Sequence, residues 1–334
     1  MKNISAFLHR LLCSVSLSVV GCMLLTSPVH AQAERSVHEW LSIMHEGGRK
    51  KTYLGTYVVT TNQGTSSARI WHVCDGTQQM ERVDVLSGAP RTTIRHNDQV
   101  VVYTPHDKVA VVEKRESLGL FSDILRTAAI PEHYVANLMH TDRVAGLETQ
   151  VLELKSRDSW RFSLRAWVEK ASGLVIKLQT LDLGGQVLEE SAFSEIDLRA
   201  PVKMENLAKQ MKTNTDESRG VKVIRPDVVK TEAAALGWTS RAAVPGFKPV
   251  SCIQRKAAQS SQPEVMQWVF SDGLATFSIF AQPFDARRHG VEMMAQSGAT
   301  QIYGRKFQGW WLTLMGDVPM ATLKAYSDGL DFKK

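Results

Sequence analysis

Short β-rich runs recur along most of the chain, each closed by turn-formers, and this rhythm restricts the fold more than any other feature. The runs cover residues 53–61, 67–73, 79–86, 91–96, 99–103 and 109–113, then 134–140, 150–155, 160–169, 174–183 and 186–197. Asn62-Gln63-Gly64, Asp75-Gly76, Ser87-Gly88-Ala89-Pro90 and Asn97-Asp98 punctuate the early ones. β-Branched and aromatic side chains suit a pleated, half-buried surface, while Gly, Asn and Pro supply backbone angles that turns need. Repetition at this spacing predicts an antiparallel meander, either sandwich or barrel. Within 160–169, Trp160, Phe162, Leu164, Ala166 and Val168 alternate with Arg161, Ser163 and Arg165. That pattern gives a strand with one apolar face and the arginines on the other. Gly184-Gly185 reads as a tight hairpin.

Helical signals are few. Residues 37–44 carry apolar side chains at helical spacing and meet a breaker at Gly47-Gly48. A second helix is expected over 117–129, ending before Pro131. Residues 212–230 are polar and aperiodic, the signature of a linker. Beyond them, runs at 247–255, 265–270, 275–281, 300–303 and 310–315 predict a second β-rich unit. A last helix is expected over 319–330, with Pro319 in its first turn. The expected domains are therefore residues 32–211, a linker at 212–230, and a smaller basic α+β unit at 231–334.

Residues 1–31 are expected to be a secretory signal peptide. Lys2, His9 and Arg10 precede an apolar run from Leu11 to Leu25, and Val29-His30-Ala31 or Ala31-Gln32-Ala33 offers the cut. Two other readings stay open: a retained anchor, although the run falls short of the roughly 20 residues that span a bilayer, and a lipobox, Val19-Val20-Gly21-Cys22, that would put a lipid on Cys22. Cleavage removes Cys13 and Cys22, leaving Cys74 and Cys252 either paired in an oxidising compartment or as separate buried thiols.

Apolar residues at 43% and charged ones at 22% fit a globular chain, and about 300 mature residues suffice for two domains. The net charge of +6 is concentrated late: residues 221–334 hold 14 Lys/Arg against 9 Asp/Glu. Away from the cytoplasm such a surface points not to nucleic acid but to an acidic protein segment, lipid phosphates or a membrane face, with plain solvated lysine as the alternative. No metal or nucleophile motif is present. His38-Glu39 and His45-Glu46 lack the second histidine of H-E-x-x-H, and there is no G-x-S-x-G, C-x-x-C or G-x-G-x-x-G. Glu189-Glu190 would face opposite ways on a strand and could not share a proton. Binding is the expected activity, without a catalytic group, a metal or a cofactor.

Several stretches resemble the MucB/RseB family of sigma-E regulators. Trp238-Thr239-Ser240 with Val244-Pro245-Gly246-Phe247 is similar to that family's W-T … L-P-x-G-F, and Ser271-Asp272-Gly273-Leu274-Ala275-Thr276-Phe277-Ser278-Ile279 to its Y-S-D-G-L hairpin. Ala166-Trp167-Val168 with Ser172-Gly173-Leu174, and residues 182–193, resemble stretches of that family's first domain, in the same order. The resemblance implies a mainly β (α+β) protein. Its N-terminal domain would be an unclosed antiparallel β-barrel of lipoprotein-carrier type with plugging helices, followed by a smaller antiparallel sheet with helices. It implies a periplasmic protein that holds the periplasmic segment of a transmembrane anti-sigma factor (MucA/RseA-like), shields it from site-1 proteolysis and releases it when lipoprotein or lipopolysaccharide-like ligands bind. A homo-oligomer is compatible with this. A periplasmic lipid carrier is the alternative, and an unrecognised hydrolase has no positive support.

Candidate residues follow from residue type. Tyr53, Tyr57, Trp71, Tyr103, Phe121, Leu125 and Trp167 are expected to line an apolar ligand cavity, although ordinary core has the same composition. Arg241, Lys248, Arg255, Lys256, Arg287 and Arg288 are candidates for gripping an acidic segment or lipid phosphates. In Gly309-Trp310-Trp311 one tryptophan must face away from the core of its strand, as an interface anchor would.

Overall fold

The computed structural model describes residues 35–114, 132–241, 244–255 and 264–333. The signal segment with Cys22, the helix expected over 117–129 with Phe121 and Leu125, and Lys256 lie outside the described residues. Residues Arg35–Lys334 form one compact unit. No helix among the described residues is long and apolar enough to cross a membrane.

Eleven of the strands come from residues 53–197: β1 (Tyr53–Thr61), β2 (Gly64–Cys74), β3 (Gln79–Val85), β4 (Thr92–His96), β5 (Gln99–Thr104), β6 (Val109–Lys114), β7 (Tyr134–Val144), β8 (Leu147–Ser156), β9 (Ser163–Glu169), β10 (Val175–Leu181) and β11 (Val187–Asp197). With β12 (Lys222–Ile224) they form one sheet in the order β12-β6-β5-β4-β3-β2-β1-β11-β10-β9-β8-β7. All neighbours are antiparallel except β12, which joins β6 in parallel. Pairing of β1 with β11 fuses two meanders, and β7 and β12 remain as edges, so the barrel is unclosed as expected. The sheet still curls, because β7 approaches β11 across three intervening strands.

Helix α1 (Val37–Lys50) fills the inner face of that curl, touching β2, β7 and β10. Ser36 and Glu39 cap it reciprocally, satisfying donors that the first turn leaves open. Its Trp40, Leu41 and Met44 join Tyr53, Tyr57, Ile70, Leu152, Val168 and Phe193 in the first core. The helix does not stop at Gly47-Gly48 as expected but runs through to Lys50. The glycine at 47 answers packing instead: a Cβ there would collide with the backbone of Gly173 and lie 2.8 Å from Leu174 N. On the outer face, α2 (Met204–Thr213) lays Leu207 and Met211 on Val73, Met80, Ile94 and Val101.

The stretch expected to be an aperiodic linker carries the end of α2, then β12, then β13 (Val228–Lys230). β12 extends the first sheet, and β13 pairs antiparallel with β15 (Lys248–Arg255) of the second. A short β14 (Trp238–Ser240) precedes β15. After β15 come β16 (Val265–Ser271), β17 (Thr276–Pro283), β18 (Met293–Ser297), β19 (Thr300–Phe307) and β20 (Trp310–Gly316). The second sheet runs β13-β15-β16-β17-β20-β19-β18. Helix α3 (Met320–Gly329), with Pro319 at its N-cap, covers one face, and β21 (Leu330–Phe332) closes on β14. The second core there gathers Trp238, Phe270, Phe277, Leu312, Leu314 and Tyr326. Mainly β architecture with a larger open sheet and a smaller second sheet is borne out. Cys74 and Cys252 are both free thiols, and burial pushes the Cys252 thiol up to about 11.

Candidate functional site

The two sheets meet at Arg161, which is fully buried. Sequence alternation put it on a polar strand face, but the strand begins only at Ser163, and Arg161 sits in the loop before it. Its Nε donates to Asp158 Oδ1 at 3.0 Å, within the first half of the chain. Its Nη1 donates to Asp272 Oδ2 at 2.5 Å and its Nη2 to the Pro245 carbonyl at 2.5 Å, both from the second half. The Tyr134 hydroxyl donates to the same Asp272 oxygen at 3.2 Å, and the Phe247 ring lies 5.0 Å from the guanidinium. Burial, then the Asp272 charge, raise the Tyr134 phenol far above its ordinary value, so it remains a donor. Gly246 has φ +87°, and a Cβ there would run into the His133 ring and lie 3.1 Å from Arg161 Nη1. The Pro-Gly-Phe and Ser-Asp-Gly-Leu stretches, which carry the family resemblance in the sequence, thus converge on one guanidinium.

Apolar side chains cross the junction in both directions. Leu274, from the β16–β17 hairpin, packs against the first core. Trp160 packs against the second, and its carbonyl accepts the Thr322 hydroxyl of α3 at 2.7 Å. A second contact joins the β1–β2 turn to the β18–β19 turn. Gln63 Nε2 donates to the Gln296 carbonyl at 2.8 Å, and Glu189 Oε2 accepts from Ala299 N at 3.3 Å. Burial and the Asp317 charge raise the Glu189 carboxyl, and burial raises Asp317. Glu190 points the other way, to Lys177 Nζ at 2.7 Å, as strand alternation requires.

The expected cavity residues divide between faces. Tyr53 and Tyr57 sit in the first core, edge-on to Phe193 at centroid distances of 5.9 and 6.2 Å. Burial pushes the Tyr57 phenol up to about 12. Trp71 and Tyr103 lie on the outer face with α2. Leu54 and Trp71, cross-strand neighbours, line a groove of about 260 Å³ with Val202, Leu207 and Gln210, where the Arg82 guanidinium stands 4.8 Å from the Trp71 ring. Trp167 is also turned away from the inner face. Its Nε1 donates to Asp142 at 2.8 Å and Lys177 Nζ stands 4.6 Å from its ring. The period-2 alternation of strands separates residues that residue type alone would group.

The basic candidates scatter likewise. Arg241, Lys248 and Arg288 are exposed. Arg287, also exposed, pairs with Asp285 at 3.3 Å. Arg255 reaches Glu113 of the first sheet at 3.4 Å, a third cross-junction contact. Trp310 packs in the second core on Trp238 and Phe332, at 5.5 and 5.2 Å. Trp311 faces the opposite side of the sheet, yet His289 stacks on it at 5.1 Å and leaves it 5% exposed. Neither tryptophan is an open anchor. Among the described residues no group of His, Cys, Asp and Glu could hold a metal ion.

These features define a class: a two-sheet β protein whose halves interlock through a buried ion pair and exchanged apolar side chains. Two family models match the chain, one in each half. The MucB/RseB N-terminal domain matches residues 36–211 and the MucB/RseB C-terminal domain residues 232–331, and the chain belongs to the MucB/RseB family. The sigma factor AlgU regulatory protein MucB of Pseudomonas aeruginosa is 27% identical over 322 residues, covering 92% of this chain and 94% of that protein. The sigma-E factor regulatory protein RseB of Escherichia coli K12 is 21% identical, covering 94% and 96%. The fold is similar to MucB solved in complex with MucA(peri), with TM-score 0.67 and 23% identity over 90% of this chain and all of that one. The Pseudomonas aeruginosa MucA/MucB complex gives TM-score 0.68 at 22% identity, over 89% of this chain and 99% of its match.

Proposed function

We propose that this chain is a periplasmic, non-enzymatic regulator of a sigma-E (AlgU-type) envelope-stress system. It holds the periplasmic segment of a membrane anti-sigma factor, keeps it from the site-1 protease, and lets go when a lipidated or lipopolysaccharide-like ligand binds. The observation that carries this is kinship through both halves: 92% of this chain aligns with 94% of a protein named as a regulator of a sigma factor. In this reading residues 1–31 direct export, 32–211 sense the ligand, and 231–334 contribute the exposed cations Arg241, Lys248 and Arg288 to an acidic partner segment. A carrier would need only the first sheet, and the mutual insertion of Leu274 and Trp160 argues against a dispensable second one.

The test uses the mature chain and the periplasmic segment of the anti-sigma factor from the same cell. Binding should slow cleavage of that segment by the site-1 protease, and added lipopolysaccharide should restore it. Cleavage at the same rate with and without the chain refutes the reading.

A further inference from the structure

We propose that the niche which Leu274 fills on the first core is a binding site for an apolar chain, and that filling it with ligand undocks the second sheet. This rests on the regulatory reading above and supplies its coupling. Among the described residues packed on the first core, the half-buried Leu274 is the one contributed from beyond residue 230. It sits in a hairpin turn that needs no help from the first sheet to keep its shape. Asp272 Oδ1 accepts from Leu274 N at 2.9 Å and Ala275 N at 2.8 Å. Ser271 Oγ donates to the Ala275 carbonyl at 2.9 Å and accepts from Gly273 N at 3.0 Å.

The two oxygens of Asp272 therefore divide their work. Oδ1 builds the turn, while Oδ2 alone holds the first sheet, through Arg161 and Tyr134. The hairpin can leave as a formed knob, giving up the Oδ2 bonds and the burial of one leucine. Arg161 keeps Asp158 when it does. Undocking of the whole second sheet then also breaks the Arg161 bond to the Pro245 carbonyl and the Gln63, Glu189 and Arg255 contacts. An apolar chain entering the same niche recovers the burial that Leu274 gives up, so ligand and hairpin compete for one place. Trp160 and its bond to Thr322 carry the separation into the second core and α3. By linkage, whatever favours the docked form weakens the ligand by the same factor.

The experiment titrates a dipalmitoylated lipopeptide into the mature chain and into its Leu274→Ala and Leu274→Met variants. Leu274→Ala, which gives up most of the competing burial, should bind the lipopeptide about tenfold more tightly. Leu274→Met, of similar volume, should match the parent. In the parent, saturating lipopeptide should speed amide exchange at Gly298 and Ala299, whose donors bond to Asn62 and Glu189 across the junction. That measurement stands even if Leu274→Ala folds poorly. Equal affinity in parent and folded Leu274→Ala, or exchange at those amides unchanged by lipopeptide, overturns the competition while leaving the regulatory reading intact. A parent that binds no lipopeptide overturns the niche, and the protease test with lipopolysaccharide then decides the regulatory reading by itself.

Discussion

At the residue scale, Arg161 decides how the two halves sit, because a buried guanidinium tolerates one arrangement of its partners. A charge taken from water must be repaid by hydrogen bonds, and all three of its donor nitrogens find an acceptor. Arg161→Met strands the Asp272 carboxylate and should cost about 3–5 kcal/mol, whereas Arg161→Met with Asp272→Leu should recover much of that. Urea midpoints for the two variants check it, with exposed Lys248→Ala as the surface control. Glu189 and Asp317 give the junction a pH dependence. Both carboxyls are raised above their ordinary values, so each favours the folded form below its ordinary value, and that contribution is lost as pH rises through the raised folded value. Glu189→Gln keeps an oxygen for Ala299 N and removes one of the two titrations. The difference in stability between variant and parent should therefore shift toward the variant as pH rises from about 4 to 7. A difference that is flat with pH would show that Glu189 is not titrating in that window.

At the element scale, packing overrides local preference in two places. Helix propensity favours Ala over Gly by about 1 kcal/mol, so Gly47→Ala would stabilise an exposed helix. Here the new methyl meets the Gly173 backbone, and the sign should reverse, to a loss of about 1–3 kcal/mol. Thermal unfolding of the variant decides between them, and a raised Tm would mean that the helix and the Gly173 turn can move apart. The second place is the stretch before residue 231. Its polar, aperiodic composition hides two short strands, because three-residue strands on existing sheet edges draw their order from partners rather than from their own pattern. β12 also covers what would otherwise be the open edge of β6.

At the scale of the whole molecule, the halves form one compact unit rather than beads on a string. Each lends an apolar residue to the core of the other, and the ion pair lies between them. Ending the chain at residue 230 would expose Tyr134, Trp160 and Arg161 together. The truncated chain should unfold at a lower temperature than the first transition of the full chain, measured side by side by circular dichroism. Equal temperatures would mean that the junction adds nothing to the first sheet.

The turn-punctuated strands, the apolar face of α1, the closing helix after Pro319 and the kinship carried by Pro-Gly-Phe and Ser-Asp-Gly-Leu were all legible in the sequence, because each depends on neighbours a few residues away. Alternation even showed that Glu189 and Glu190 diverge. What the sequence could not order is anything that depends on which face meets which. Trp71 and Tyr103 share a residue type with Tyr53 and Tyr57, yet stand on the opposite side of the sheet. Arg161 looked like a solvent-facing strand residue and is, like the Asp272 carboxylate it meets, fully enclosed at the junction. Its partners lie 84 and 111 positions away, and pairing over such separations is set by how two sheets dock. The sequence by itself determined the strands, the turns and the family; the tertiary structure alone decided that two of those turns close on one buried arginine, because only docking takes that charge out of water and makes its partners obligatory.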